Sequence, residues 1–169
     1  AGEVEGKEAV LMLARDILRQ EKPPYLDDLV LLICPIFNAD GNEKIDPQNR
    51  RNQVGPEKGV GIRYNGQNLD LNRDALKMES PELQGLAANV LNRWDPVLLV
   101  DCHTTNGSYH TEPVTYVWSL DPNGDTSLIR YMAERMMPEA DRILEEKYGM
   151  LSIPYGNWLD FSNPEKGWQ

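Results

Sequence analysis

Three segments carry apolar side chains at the three- and four-residue spacing of an amphipathic helix: residues 5–20, 81–94 and 126–148. Ser80, a typical N-cap residue, precedes the second segment, and Pro81 occupies the first helical position, where proline is favoured. The third segment contains Pro138, which removes a helical hydrogen-bond donor and predicts a kink or break there. The pattern therefore predicts three helices separated by other elements.

Continuous apolar runs lie between these helices, at residues 29–37 and 97–103, and a further apolar segment covers residues 114–120. Such runs are typical of strands buried on both faces. Cys34 and Cys102 lie inside the first two runs and are predicted to be reduced thiols in the core. Alternating strands and helices predict an α/β fold with a mixed, largely parallel sheet covered by helices on both faces, a three-layer α/β/α arrangement incomplete at both ends.

Composition agrees with a folded chain and narrows its partners. The 169 residues suffice for a single domain, and hydrophobic and charged fractions of 40% and 26% are ordinary for globular proteins. A formal net charge of −10 argues against nucleic acid as a partner. No apolar run approaches the roughly 20 residues needed to cross a bilayer, so no membrane partner is expected either.

Polar clusters follow two of the predicted strands, at residues 38–41 and 101–107. Ligands of open α/β sheets bind outside the carboxyl ends of the strands, so these clusters are candidate sites. The second cluster contains His103, one of two histidines; by itself, a histidine at a strand end is more often a hydrogen-bonded loop residue than a metal ligand. His110 has less to distinguish it from a surface histidine. The long polar segment 42–67 is predicted to be a loop, and its length is typical of a functional or a mobile loop.

Three separated motifs resemble, in order, those of the zinc metallocarboxypeptidase family. Ala1-Gly2-Glu3 resembles the last three positions of that family's H-x-x-E motif. Residues 38–41 are similar to its N-P-D-G turn, with alanine in place of proline, and residues 70–73, Asp-Leu-Asn-Arg, resemble its D-L-N-R. His103 corresponds to the family's single distant histidine at a strand end.

The resemblance implies a zinc cofactor and a division of roles among six residues. Glu3 and His103 are expected to be metal ligands, and Asn72 and Arg73 to hold the terminal carboxylate of the substrate. Arg50 or Arg51 is expected to stabilise the oxyanion, and Arg50 is favoured. The implied activity is a zinc metallocarboxypeptidase that hydrolyses the C-terminal bond of a peptide with a free carboxylate through a metal-activated water. Asp101, on the same side of the strand as His103, is a candidate hydrogen-bond partner.

Two parts of the family site have no match in residues 1–169: the first histidine ligand, which the motif places before Ala1, and the general-base glutamate. The chain by itself is therefore expected to be inactive. Two other functions fit the same residues: a zinc deacylase of the aspartoacylase or succinylglutamate desuccinylase type, and a noncatalytic peptide-binding domain on the same scaffold. A secreted or periplasmic location would fit the family.

Overall fold

The computed structural model describes residues 2–20, 23–51, 55–104, 111–156 and 163. They belong to two compact units, Ala1–Thr104 and Thr105–Gln169. Every candidate site residue named above lies in the first unit.

The described residues of the first unit form three helices. They are α1, Glu5–Arg19; the short α2, Ala39–Glu43; and α3, which runs through Pro81–Leu86, a π-helical turn at Ala87–Leu91, and Asn92–Trp94. Single 3-10 turns cover Pro24–Asp27 and Leu71–Arg73. The helices predicted at 5–20 and 81–94 are thus confirmed. Ser80 caps α3 as expected, because its Oγ accepts a hydrogen bond from the Leu83 amide at 3.3 Å.

The strand predictions for residues 29–37 and 97–103 are wrong, since neither segment pairs in a ladder among the residues described. Both are irregular and expose apolar side chains, up to 98% for Val97. Cys34 and Cys102 are accordingly exposed free thiols, not core residues. The reason is physical: an apolar run indicates a preference for burial, but a strand also requires a neighbouring strand whose backbone groups it can bind.

Hydrogen bonds from buried polar side chains organise much of the first unit. Its buried hydrophobic residues are Val60 and Leu71, and its buried polar residues are Asn38, Asn65, Asp74 and Ser80. Asn38 caps α2 by accepting from the Gly41 amide at 2.8 Å and also donates to the Arg63 carbonyl at 2.9 Å. The predicted turn at 38–41 is therefore the beginning of a short helix.

Asn65 fixes the next turn of the same region. Its Oδ1 accepts from the Gln67 and Leu69 amides at 3.0 and 2.9 Å, while its Nδ2 donates to the carboxylate of Glu82 in α3. The following amide, of Gly66, donates to Asp40 at 2.8 Å. These bonds hold the loop that follows α2. Between Glu43 and Gln67 its described residues form isolated bridges but no helix or paired strands, as predicted for a loop.

The second unit combines two strands with a long helix. Strand β1, Val114–Tyr116, pairs in parallel with β2, Ser152–Pro154, with Val114 opposite Ser152. Between them, α4 runs through Thr126–Tyr131, a π-helical turn at Met132–Met136, and Met137–Tyr148. The predicted helix is confirmed, and its regular hydrogen bonding is interrupted just before Pro138. A mixed helix and strand composition with a parallel pair is observed, and the larger three-layer sheet stays a prediction.

The carboxylate of Asp141 connects α4 to both strands of the second unit. It accepts a hydrogen bond from the Tyr116 hydroxyl at 2.7 Å and another from the Ser152 hydroxyl. Burial, together with the hydrogen bond to Asp141 and its negative charge, raises the pKa of Tyr116 to about 12.

Candidate metal centre

Glu3 and His103 are in direct contact although 100 positions separate them in the chain. Oε2 of Glu3 lies 2.8 Å from Nδ1 of His103 and 3.1 Å from the amide nitrogen of Thr104, which donates to it. Glu3 lies just before α1, and His103 lies at the end of segment 97–103. The structure thus brings together the two residues predicted to be metal ligands.

The other ring nitrogen of His103 faces a second carboxylate. Its Nε2 lies 3.1 Å from Oδ2 of Asp101, so each nitrogen of the imidazole has an acidic partner. Partial burial of the ring lowers its pKa, but the negative charge of Asp101 and the hydrogen bonds to both carboxylates outweigh that effect and raise the pKa of His103 above its usual value. Without metal, this environment favours the imidazolium form.

Arg50 contacts the oxygen of Glu3 that His103 does not use. Its Nη2 lies 2.7 Å from Oε1 of Glu3. Partial burial raises the pKa of the Glu3 carboxyl, yet the hydrogen bonds from Thr104, His103 and Arg50 together lower it below its ordinary value. Glu3 therefore stays ionised, which is the form in which a carboxylate binds a metal.

A zinc ion suits this pair of donors in both chemistry and spacing. Zinc binds imidazole nitrogen and carboxylate oxygen at about 2.0–2.1 Å, so two donors of a tetrahedral site lie about 3.3 Å apart. Since Nδ1 of His103 and Oε2 of Glu3 are 2.8 Å apart, they need to separate by only about half an ångström. Within the described ranges, no group of three His, Cys, Asp or Glu side chains is placed to hold a metal, so this pair fits two corners of a site.

A cleft of about 170 Å³ adjoins Glu3 and contains both candidate oxyanion arginines. Arg50 and Arg51 line it, together with Glu5 and Thr104. Arg51 is exposed, whereas the Arg50 side chain is only 17% exposed and is bound to Glu3. The ion pair with Glu3 distinguishes Arg50 from Arg51, and the choice between them for the oxyanion role stays a prediction.

Asn72 and Arg73 occupy an exposed 3-10 turn. Asp70 caps this turn by accepting from the Asn72 amide at 3.1 Å, and the Arg73 guanidinium donates to the carbonyl oxygen of Asn72 at 2.9 Å. Neither side chain is hydrogen-bonded to Glu3 or His103 in the part of the chain that the structure describes. Both side chains are exposed, so a ligand can reach them, and their role in binding a carboxylate stays a prediction.

Sequence reasoning missed the contribution of Thr104. Its amide binds Glu3, and its hydroxyl donates to Glu5 at 2.5 Å, so it joins the end of segment 97–103 to the start of α1 through two carboxylates. The one feature of the sequence that points to Thr104 is its position directly after His103.

Comparison with known protein families assigns the chain to one of them. A sequence profile described as zinc carboxypeptidase matches residues 1–136, a range that contains Glu3, the two arginines, the Asn72-Arg73 pair and His103. The chain belongs to the zinc carboxypeptidase family, whose members depend on zinc. No curated protein and no solved structure gave a significant match.

Proposed function

We propose that these residues form part of the active site of a zinc metallocarboxypeptidase, which hydrolyses the C-terminal bond of a peptide with a free carboxylate. The observation that supports this proposal best is the Glu3–His103 contact at 2.8 Å. Two residues from distant parts of the chain meet with the donor atoms that zinc prefers, in a member of a zinc-dependent family.

In this proposal, Oε2 of Glu3 and Nδ1 of His103 would be two of the zinc ligands, and Asp101 would orient the imidazole through Nε2. The bound ion would polarise the scissile carbonyl and make a water nucleophilic near neutral pH. The guanidinium of Arg50, which lies against the ligand Glu3, is placed to stabilise negative charge on the carbonyl oxygen.

Asn72 and Arg73 are proposed to bind the terminal carboxylate of the substrate. A guanidinium presents two parallel donors that match the two oxygens of a carboxylate, and an amide adds a third donor. The Asp70 cap holds the backbone of this turn, so the two side chains project from a defined position. Recognition of a free carboxylate is what distinguishes a carboxypeptidase from a peptidase that cleaves within a chain.

The first test is whether Glu3 and His103 bind zinc. Zinc affinity and stoichiometry are measured by competition with a chromophoric chelator for the wild-type chain, Glu3→Ala and His103→Ala, with Glu8→Ala and His110→Ala as matched controls. We expect each ligand variant to weaken binding at least about ten-fold, because each loses one protein donor. Stoichiometric zinc binding that survives both substitutions unchanged would contradict the site.

The second test distinguishes the proposed activity from the deacylase and from the noncatalytic binding domain. Activity is assayed in the longest natural polypeptide that contains residues 1–169. Three substrates are compared: a peptide with a free C-terminal carboxylate, the same peptide with a C-terminal amide, and an N-acyl amino acid. A carboxypeptidase cleaves the peptide with the free carboxylate and spares the peptide with the C-terminal amide. Arg73→Gln should raise KM for the peptide with the free carboxylate. Preference for the N-acyl amino acid supports the deacylase, while binding of the free peptide without turnover supports the noncatalytic domain.

A further inference from the structure

We propose that Arg50 is also a positioning residue for Glu3, so that zinc affinity itself, and not only turnover, depends on Arg50. This inference rests on the proposed zinc site. It concerns the metal-binding step, which an arginine that acts only on the substrate oxygen would leave unchanged.

The two oxygens of the Glu3 carboxylate have different partners. Oε1 is bound by Arg50 at 2.7 Å, whereas Oε2 is bound by the ring of His103 and the amide of Thr104. Contacts on both oxygens fix the plane of the carboxylate, with Oε2 on the side of His103. Because the Glu3 and Arg50 side chains are only 22% and 17% exposed, water competes weakly for this ion pair. Arg50 thereby holds Glu3 in the orientation that a metal beside His103 requires.

Two features of the backbone place Arg50 against Glu3. Arg50 has a φ of 54°, a left-handed conformation that residues other than glycine rarely adopt. Gly2, next to Glu3, is packed against the Arg50 side chain: a Cβ atom at position 2 would lie 2.8 Å from Cγ of Arg50 and 3.0 Å from Cδ. A side chain at position 2 would therefore force the Arg50 stem or the backbone of Gly2 to shift, which would disturb the contact between Arg50 and Glu3.

Two opposing effects decide whether the loss of Arg50 strengthens or weakens zinc binding. The positive guanidinium repels a divalent cation, which would weaken zinc binding. Against this, it holds a ligand in place, and removal of hydrogen-bond partners of metal ligands typically weakens metal binding about 10- to 100-fold. Because Oε1 of Glu3 is bound by Arg50 and Oε2 faces His103, we expect the loss of orientation to dominate.

The experiment measures, by chelator competition, the zinc dissociation constant of the longest natural polypeptide that contains residues 1–169. Arg50→Gln removes the charge, and Gly2→Ala keeps the arginine but displaces its stem. We expect Arg50→Gln to weaken zinc binding about ten-fold or more and Gly2→Ala by a smaller factor. Arg19→Gln, a matched change at an exposed arginine of α1, should leave zinc affinity within about two-fold. Arg50→Lys, which keeps one donor for Oε1, restores part of the affinity.

The outcomes separate this inference from the proposed function. If Glu3→Ala and His103→Ala abolish zinc binding while Arg50→Gln and Gly2→Ala bind as tightly as wild type or tighter, the inference is overturned and the zinc site stands. If zinc binding does not depend on Glu3 and His103, the proposed function itself fails. Thermal unfolding of each metal-free variant is recorded alongside. A third outcome is that zinc affinity falls only in variants with a lower unfolding temperature and that Arg50→Lys recovers none of the lost affinity. Arg50 would then have a merely structural role, and the inference would also be overturned.

Discussion

Asp101 contacts Nε2 of His103 at 3.1 Å, on the opposite side of the ring from the nitrogen that faces Glu3. A neutral imidazole has one donor and one acceptor nitrogen. Glu3 and Asp101 are both acceptors, so without metal each favours a proton on the ring nitrogen that it faces. In the proposed site a metal would take the place of the proton between Nδ1 and Glu3, and Asp101 would then keep the remaining proton on Nε2.

We expect Asp101→Ala to weaken zinc binding by up to about ten-fold, at the lower end of the range for partners of metal-bound histidines. The effect is limited because the Asp101 side chain is 77% exposed. Asp101→Asn should cost less, since its amide oxygen still accepts from Nε2. Zinc titration of these variants beside Asp28→Ala, an exposed aspartate elsewhere in the chain, tests the idea. Wild-type affinity in Asp101→Ala would refute it.

The pKa of His103 in the metal-free chain should lie above 6.5, because the surrounding carboxylates outweigh the effect of partial burial. A pKa raised by folding contributes stability that is fully present below the unfolded-state pKa and is lost as the pH rises through the folded-state value. NMR titration of the ring protons measures the pKa directly. Glu3→Gln should lower it, and an unchanged value in that variant would show that Glu3 does not hold the imidazolium.

Zinc binding should strengthen as the pH rises through the same pKa. A metal requires the neutral imidazole, so zinc must displace the proton that the two carboxylates favour on His103. Glu3 does not limit binding in this range, because its pKa lies below the ordinary value of 4.5. Chelator competition at several pH values between 5.5 and 8, in buffers that do not bind zinc, checks this prediction. Binding that does not vary with pH would be inconsistent with His103 as a ligand.

Ser80→Ala should lower the free energy of unfolding by about 1–3 kcal/mol. Ser80 is fully buried, and its hydroxyl donates to Asp74 at 2.5 Å while it caps α3 at the Leu83 amide. Substitution removes both bonds and withdraws one of the donors that lower the pKa of Asp74. Urea unfolding measures the change, with exposed Ser119→Ala as the control. Equal midpoints for the two variants would contradict the assigned role of Ser80.

Tyr116 should titrate near pH 12, because it is partly buried and donates to Asp141. Asp141→Asn should move its pKa towards 10, the ordinary value for tyrosine. Since folding raises this pKa, the corresponding stability is present below about pH 10 and is lost as the pH rises through 12. NMR of ring-labelled tyrosine, assigned with Tyr116→Phe, follows the transition. No change in Asp141→Asn would show that this carboxylate is not the cause.

Sequence alone was a good guide where the relevant interactions are local. The Ser80 cap and the spacing of apolar residues were enough to predict α3, since helix formation depends on neighbours three and four positions away. The strands predicted at 29–37 and 97–103 failed because pairing depends on a partner that no local pattern specifies. The Glu3–His103 contact was anticipated through family motifs. The Arg50–Glu3 contact was not, because the loop that carries Arg50 has no periodicity from which its path can be predicted.

The hydrogen bonds around Asn65 also bear on how the protein ages chemically. An asparagine followed by glycine deamidates when the glycine amide nitrogen attacks the asparagine side chain and closes a five-membered ring. In this chain the Gly66 amide is bound to Asp40, and the Asn65 side chain is 2% exposed with bonds at both its oxygen and its nitrogen. Folding thus shields a sequence that is labile in an open chain. The bonds that shape the turn before Asn72 and Arg73 also slow its conversion to aspartate or isoaspartate.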